Sequence, residues 1–235
     1  MIRKLYSQAG QDEWVLRSVF NWKTGGYFLD IGAAEGVELS NTYALEKYFA
    51  WNGICVEADP QSFAKLRKNR RCATIQACLA GTEGKVAFAT RPTFYGGIIE
   101  PSVEGSDVIE VEAITISRLL VEQSAPNTID YLTIDVEGAE DDILSSFPFQ
   151  SHRFLCATIE RPGPKLRSIL AENGYLLVAE QPALDAFYIH STLSDSYRIH
   201  AMNRARLASL PIWARGGNLV RNLVKNGIRS TLRRF

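Results

Sequence analysis

Short apolar runs of strand length recur along the chain, separated by stretches whose apolar residues return every three or four positions. The runs are YFLDI (27–31), GICVEA (53–58), ATIQACL (73–79), DYLTIDV (130–136), FLCATIE (154–160) and YLLVAE (175–180). Between the first two, SNTYALEKYFAW (40–51) offers Ser40 or Asn41 as a cap and sets Tyr43, Ala44, Leu45 and Tyr48 at helical spacing. PQSFAKLRKN (60–69) opens on Pro60 in a first-turn position, with Phe63 and Leu66 as its apolar face. Strand, helix, strand, helix, strand is the pattern of a parallel sheet with crossover helices.

Two regions depart from this rhythm. Residues 82–116 carry Gly96–Gly97 and then VIEVEAITI (108–116), in which Val108, Glu110 and Glu112 point oppositely to Ile109, Val111 and Ala113. This predicts a small β insertion. Near the end, QPALD (181–185) is a turn-like link into AFYIHS (186–191), too short to hold a crossover helix, so the last two strands should pair antiparallel at one edge.

Composition and charge narrow the class. No run approaches the ~18 apolar residues of a membrane-spanning helix, and MIRKLYSQAGQDEW lacks an apolar core and a cleavage site, so secretion is not indicated. Cys55, Cys72, Cys78 and Cys156 show no CxxC spacing; three sit inside apolar runs and read as buried small hydrophobes, which suits a reducing, cytoplasmic setting. The 235 residues balance 26 Lys+Arg against 26 Asp+Glu, yet residues 197–235 hold nine basic residues and no acidic one. An acidic body, 1–195, thus precedes a basic extension, 196–235. In the extension, Leu219, Val220, Leu223, Val224, Ile228 and Leu232 run beside Arg221, Lys225, Arg229 and Arg233 as a basic amphipathic helix. It suits peripheral contact with an anionic membrane, or docking on the acidic body of the same or a second copy as a homodimer. Without interleaved aromatic residues, nucleic acid is not expected.

Three stretches carry chemistry. In YFLDIGAAEG a strand ends near Asp30, and Gly32 and Gly36 follow before a helix, a turn that lets a ligand approach the backbone. The D-x-G-x-x-x-G spacing differs from the G-x-G-x-x-G that holds a dinucleotide pyrophosphate, and an acid at the strand tip suits a cofactor bearing a cation. In GICVEADP, Glu57 ends the next strand, where a carboxylate can accept from both ribose hydroxyls of an adenosine-containing cofactor. In IDYLTIDVEGAEDDIL, Asp135 sits at a strand tip that a parallel sheet would place beside the first strand, with Glu137, Gly138 and Glu140 following. Asp135 should face the reaction, whereas Asp141 and Asp142 read as complements to a helix dipole.

These stretches, with SQAGQDEWVL (7–16) and ATIERP (157–162), resemble the FkbM family of S-adenosylmethionine-dependent methyltransferases over most of residues 5–190. The resemblance implies a Rossmann-like class I methyltransferase fold: a mostly parallel twisted α/β sheet with helices on both faces, an antiparallel edge hairpin and a small β insertion. It implies O-methylation of a hydroxyl on a small molecule or glycan. It places Asp30, Gly32, Ala33 and Gly36 around the methionine part of the cofactor, Glu57 and Ala58 at the ribose, Ser40 and Asn41 at the first helix, and Ala80 near adenine. The candidate base is Asp135, followed by Glu137 and Glu160. Asp135 and Glu137 are also the residues that would hold a divalent cation, a minority reading. Tyr6, Gln8, Gln11 and Asp12 form either a lid over the cofactor or part of a packing helix built on Trp14, Val15, Leu16, Val19 and Phe20. An NAD(P)-dependent oxidoreductase of a sugar and a non-catalytic adenosyl-binding module are the alternatives. His152 and His190 read as structural or solvated.

Overall fold

The computed structural model describes residues 4–90, 97–98, 107–181, 184–193 and 195; the basic extension expected over 196–235 lies outside the described residues. An N-terminal turn of helix, α1 (Gln11–Glu13), runs into a π-helical segment, Trp14–Val19. β1 (Tyr27–Ile31), α2 (Tyr43–Phe49), β2 (Asn52–Glu57), α3 (Pro60–Asn69) and β3 (Ala73–Gln76) follow. The second half comprises α4 (Ile116–Glu122), β8 (Thr128–Ile134), α5 (Glu140–Ser145), β9 (Arg153–Glu160), α6 (Pro164–Glu172), β10 (Tyr175–Glu180) and β11 (Asp185–His190). Between the halves lies a smaller sheet of β4 (Cys78–Leu79), β5 (Gly84–Thr90), β6 (Gly97–Ile98) and β7 (Asp107–Ile114), in the order β4-β7-β5-β6.

The main sheet has the order β10-β11-β9-β8-β1-β2-β3. Its central pairs are parallel, and β11 pairs antiparallel with both β9 and β10. The expected edge hairpin is therefore present, with β10 outermost. Alternation along the strands sorts side chains to two buried faces. Leu29, Ile31, Ile54, Val56, Leu132 and Ile134 pack with Leu119, Ile143, Leu166 and Leu170 of α4, α5 and α6. Phe28, Cys55, Tyr131 and Cys156 pack on the other face with Trp14, Leu45, Phe49 and Leu66. Both faces covered by helices is what permits such unbroken apolar strands.

The run at 73–79 divides, because Cys78 and Leu79 leave the main sheet and pair with Ala113 and Ile114 of β7. The expected insertion is β5 to β7, but Ile116 opens α4, capped by the Thr115 hydroxyl, which accepts from Arg118 N. Residues 91–96 and 99–106 lie outside the described residues. Pro60 does open α3, and Asp59 caps it by accepting from Ser62 N at 2.7 Å. Among the described residues no helix is long and apolar enough to cross a membrane.

Sheet order fixes where a ligand can sit. From β1 the chain builds outward to β3, then returns to lay β8 on the other side of β1, so the loops after β1 and β8 part at their carboxyl ends and leave a crevice. The two tips are tightly joined: Asp135 N donates to Ile31 O at 3.0 Å, and Gly32, at φ +84, lies so close that a Cβ would overlap the Asp135 carbonyl oxygen. Gly32→Ala is expected to destabilise the protein by about 3 kcal/mol through overlap and a left-handed backbone together. A urea unfolding midpoint equal to the parent's would show that the tips can separate at no cost.

Candidate functional site

The crevice is a cleft of about 190 Å³. One wall is the loop after β1, from Gly32 to Ala34 and from Glu38 to Asn41; another is Glu57 to Asp59; Ala77 to Leu79 close one end, and Asp135 to Glu137 the other. Asp30, Ile31, Val56 and Thr133 form its floor, and Gln8 and Gln11 also line it, so the N-terminal stretch both packs, through Trp14, Val15, Leu16 and Val19, and borders the cleft. It is pinned there by hydrogen bonds from Gln11 Nε2 to Asp185 and from Gln181 Nε2 to Ala9 O. Backbone in the left-handed region gathers here: Ala34, Leu39 and Glu137 all line the cleft with φ between +48 and +58. Strain of this kind is held only where surrounding contacts enforce it, and it accumulates at ligand sites.

Glu57 is built into the wall rather than solvated. Its Oε2 accepts from Ala34 N at 2.7 Å and its Oε1 from Asp59 N at 2.8 Å, tying the loops after β1 and β2 to one carboxylate. Burial raises its pKa, and these backbone donors work in the opposite direction. Each oxygen keeps a lone pair for a further donor. Gly32 N and Ala33 N both donate to Val56 O at 3.0 Å, which folds the loop back onto β2.

Asp30 lines the cleft and is also engaged from within the protein. Its Oδ2 accepts from Thr42 Oγ1 at 2.5 Å and lies 3.9 Å from Arg70 Nη1, so a cation is already supplied from within the protein. Burial raises its pKa, while Arg70 and Thr42 oppose that rise. The Arg70 side chain is fully buried: Nε donates to Glu46 Oε2 at 2.6 Å, Nη2 to Thr42 Oγ1 at 2.9 Å and Nη1 to Gly36 O at 3.3 Å. Gly36 does not line the cleft; a side chain there would strike Leu66 and the aliphatic stem of Arg70, so this glycine makes room for those side chains beneath the loop. Sequence reasoning missed Arg70, because within LRKNRR no local signal separates the buried cation from the solvated ones.

Other expected residues are also sorted by the geometry. Ser40 and Asn41 both line the cleft: Ser40 Oγ accepts from Thr42 N and Tyr43 N at the start of α2, and Asn41 donates from Nδ2 to Thr133 Oγ1 at 2.9 Å. Asn41 Oδ1 is left buried with no donor among the described residues. Ala58 lines the cleft, but Ala80 does not: its N–H donates to Ile114 O at 3.1 Å and its methyl packs with Cys78, Phe88 and Ala113. Asp141 and Asp142 accept from Gly163 N and Gly81 N respectively, so they anchor neighbouring loops to α5 as well as sitting in its first turn.

Asp135 is the first residue past β8 and opens onto the cleft. Desolvation, then Glu160, Asp185 and Glu137, push its pKa up to about 8. Glu137 turns to Arg161, whose Nη2 donates to Glu137 Oε2 at 2.8 Å and also meets Glu160 Oε1 at 2.7 Å. The carboxylates that converge with Asp135 are therefore Glu140 and Glu160, not Glu137; one oxygen from each of the three lies within 4.8 Å of the others.

The sequence model for the methyltransferase FkbM domain matches residues 30–177. Among solved structures, methyltransferase FkbM from Methylobacillus flagellatus KT is 12% identical over 75% of this chain and 48% of that one, with a TM-score of 0.47. This chain thus spans about half the length of that protein. The N-terminal domain of human METTL16 in complex with SAH is 12% identical over 81% and 72% of the two chains, with a TM-score of 0.42. A methyltransferase from Pyrococcus furiosus is 16% identical over 74% and 77%, at 0.36. No curated protein matches the chain by sequence.

Removing the buried cation tests the architecture of the cleft. Arg70→Met is expected to cost roughly 3 to 5 kcal/mol in denaturant unfolding, since Glu46 and Asp30 lose their partner. Glu46→Gln in the same chain should return part of that loss. In the parent, burial raises the Glu46 pKa but Arg70 more than offsets this, and the net shift is downward from 4.5. The stability this pair contributes is therefore present above about pH 4.5 and is lost as pH falls through the lower folded value. A flat profile there would contradict the ion pair.

Proposed function

The chain belongs to the FkbM methyltransferase domain family, and on that premise we propose that it transfers the methyl group of S-adenosylmethionine to a hydroxyl oxygen of a small-molecule or glycan acceptor. The observation that carries this reading is the cleft itself, with an anchored carboxylate, Glu57, in one wall and a carboxyl crowded by others, Asp135, at the opposite end. Glu57 has lone pairs free for the two ribose hydroxyls. Ala77, Cys78 and Leu79 bound the end where an adenine fits. The orphaned Asn41 Oδ1 calls for an N–H donor, and the α-ammonium of a methionine group is one. These features fit the cofactor. When bound, it supplies an electrophilic methyl on a sulfonium, open to in-line displacement by an oxygen nucleophile.

What the protein contributes is position and a proton acceptor. The joined tips of β1 and β8 hold the loop after β1 and Asp135 in one frame, which fixes the alignment on which displacement chemistry depends. Asp135, in its ionised form, orients the acceptor hydroxyl and takes its proton as the new C–O bond forms. Gln8, Gln11 and Glu137 offer polar contacts to an acceptor rich in hydroxyls.

Calorimetric titration with S-adenosylmethionine and S-adenosylhomocysteine tests the cofactor half of this reading. Both should bind, NAD should not, and Glu57→Ala should weaken binding roughly tenfold or more through loss of the ribose acceptor and its loop ties. Asp135→Asn should retain S-adenosylhomocysteine while lowering turnover on a responsive saccharide acceptor about 100-fold or more. Binding of NAD in preference to the sulfonium cofactor would favour the oxidoreductase, and full turnover by Asp135→Asn would exclude that residue as the base.

A further inference from the structure

We propose that Asp135, Glu140 and Glu160 form a binding site for a divalent cation of the hard, oxygen-preferring class, Mg²⁺, Mn²⁺ or Ca²⁺, at the acceptor end of the cleft. The three carboxylates come from separate elements: the loop after β8, the first turn of α5 and the end of β9. One oxygen from each lies within 4.8 Å of the others. Three oxygens spread evenly about such an ion at about 2.1 to 2.4 Å lie roughly 3.6 to 4.2 Å apart, so a set within 4.8 Å closes on a single ion by small side-chain rotations. With no nitrogen or sulfur among the donors, the site selects for hard cations.

A second observation points to a missing positive partner. Glu160 is 9% exposed; its Oε1 meets Arg161, while its Oε2 is buried without a hydrogen-bond donor among the described residues. A buried carboxylate oxygen with no donor is costly unless a proton or a cation sits on it. The Asp135 carboxyl is a hydrogen-bond partner of Glu160 when protonated, and a cation takes the place of that proton; the other nearby donors are committed elsewhere. Arg161 is shared between Glu160 Oε1 and Glu137, and Gln11 Nε2 goes to Asp185, which sits directly opposite Glu160 in the β9–β11 register and adds a further negative charge. Glu140 is held rigidly, its Oε1 accepting from Val136 N at 3.0 Å and Gly138 N at 3.2 Å. The set is thus preorganised, electronegative and open to the cleft through Asp135.

An ion held here would bind the acceptor hydroxyl beside Asp135, and a vicinal pair of hydroxyls would fill two coordination positions. It would ease loss of the hydroxyl proton, with the second oxygen of Asp135 left to receive it. This role rests on the proposed methyl transfer; the cation site itself does not.

Binding is measured on the full chain without cofactor or acceptor, following free Mn²⁺ by electron paramagnetic resonance and Mg²⁺ by calorimetry. One Mn²⁺ per chain is expected, weakened roughly tenfold or more by Glu160→Gln and by Glu140→Gln, and unchanged by Glu112→Gln in the smaller sheet. Mn²⁺ should also raise the melting temperature of the parent and not that of Glu160→Gln, which keeps the test informative if Glu140→Gln folds poorly. Absence of binding at millimolar Mn²⁺, or one-to-one binding that survives both substitutions, overturns the site. Cation binding by a protein that transfers no methyl group would uphold the site while removing the methyl-transfer reading; full methyl transfer in chelator by a protein that binds no Mn²⁺ would do the reverse.

Discussion

The close approach of two strand tips governs this molecule. Gly32, past the end of β1, lies against the Asp135 carbonyl past the end of β8, and the Asp135 N–H is bonded to Ile31 O. Because the sheet reverses its direction of growth between these strands, their following loops must diverge, and the cleft is the space that opens between them. A single contact therefore sets the separation between the loop that would hold a cofactor and the carboxyl group that would meet an acceptor. The two are positioned by the backbone of the most buried strands, which gives the site its rigidity.

Charge is divided across the cleft in a way that sheds light on both ends. Beneath the loop after β1, Arg70 is fully buried and meets Glu46, Asp30, Thr42 and the Gly36 carbonyl, so every charge there is answered internally. That arrangement ties α2, α3 and β1 into one unit, and its worth lies in fixing geometry more than in net stability. At the other end, Asp135, Glu140, Glu160 and Asp185 are gathered with Arg161 already committed to Glu160 and Glu137. The first cluster is neutralised internally, although Asp30 also reaches the cleft. The second carries negative charge toward open space, which is a setting for handling a proton or a cation.

The N-terminal stretch shows how one segment can meet two demands. Trp14, Val15, Leu16 and Val19 are buried against the sheet, and the residues just before them border the cleft. Asp12 accepts from Ser7 Oγ and Tyr6 N, and Ser7 bridges to Leu39, so the segment is drawn across toward the loop after β1. Packing and cleft-lining are consequences of the same amphipathic turn.

Periodicity by itself determined the main strands, the crossover helices α2 and α3 and the edge hairpin, since these follow from apolar spacing and linker length, which are local properties, but not the division of the run at 73–79 between two sheets. It also placed Asp30, Glu57 and Asp135 at strand tips, and they lie at or within one residue of the ends of β1, β2 and β8, because strand ends can be read where apolar runs stop. What those carboxylates do was decided by tertiary structure. Asp30 turned to Arg70, Glu137 to Arg161, and Ala80 into the smaller sheet, while Glu140 joined Asp135 and Glu160. Which charge meets which depends on elements far apart in sequence: Arg70 lies 40 residues from Asp30, and Glu160 lies 25 from Asp135. A side chain's partner is a long-range property, fixed only when the strands are laid side by side, and no pattern along the chain records it.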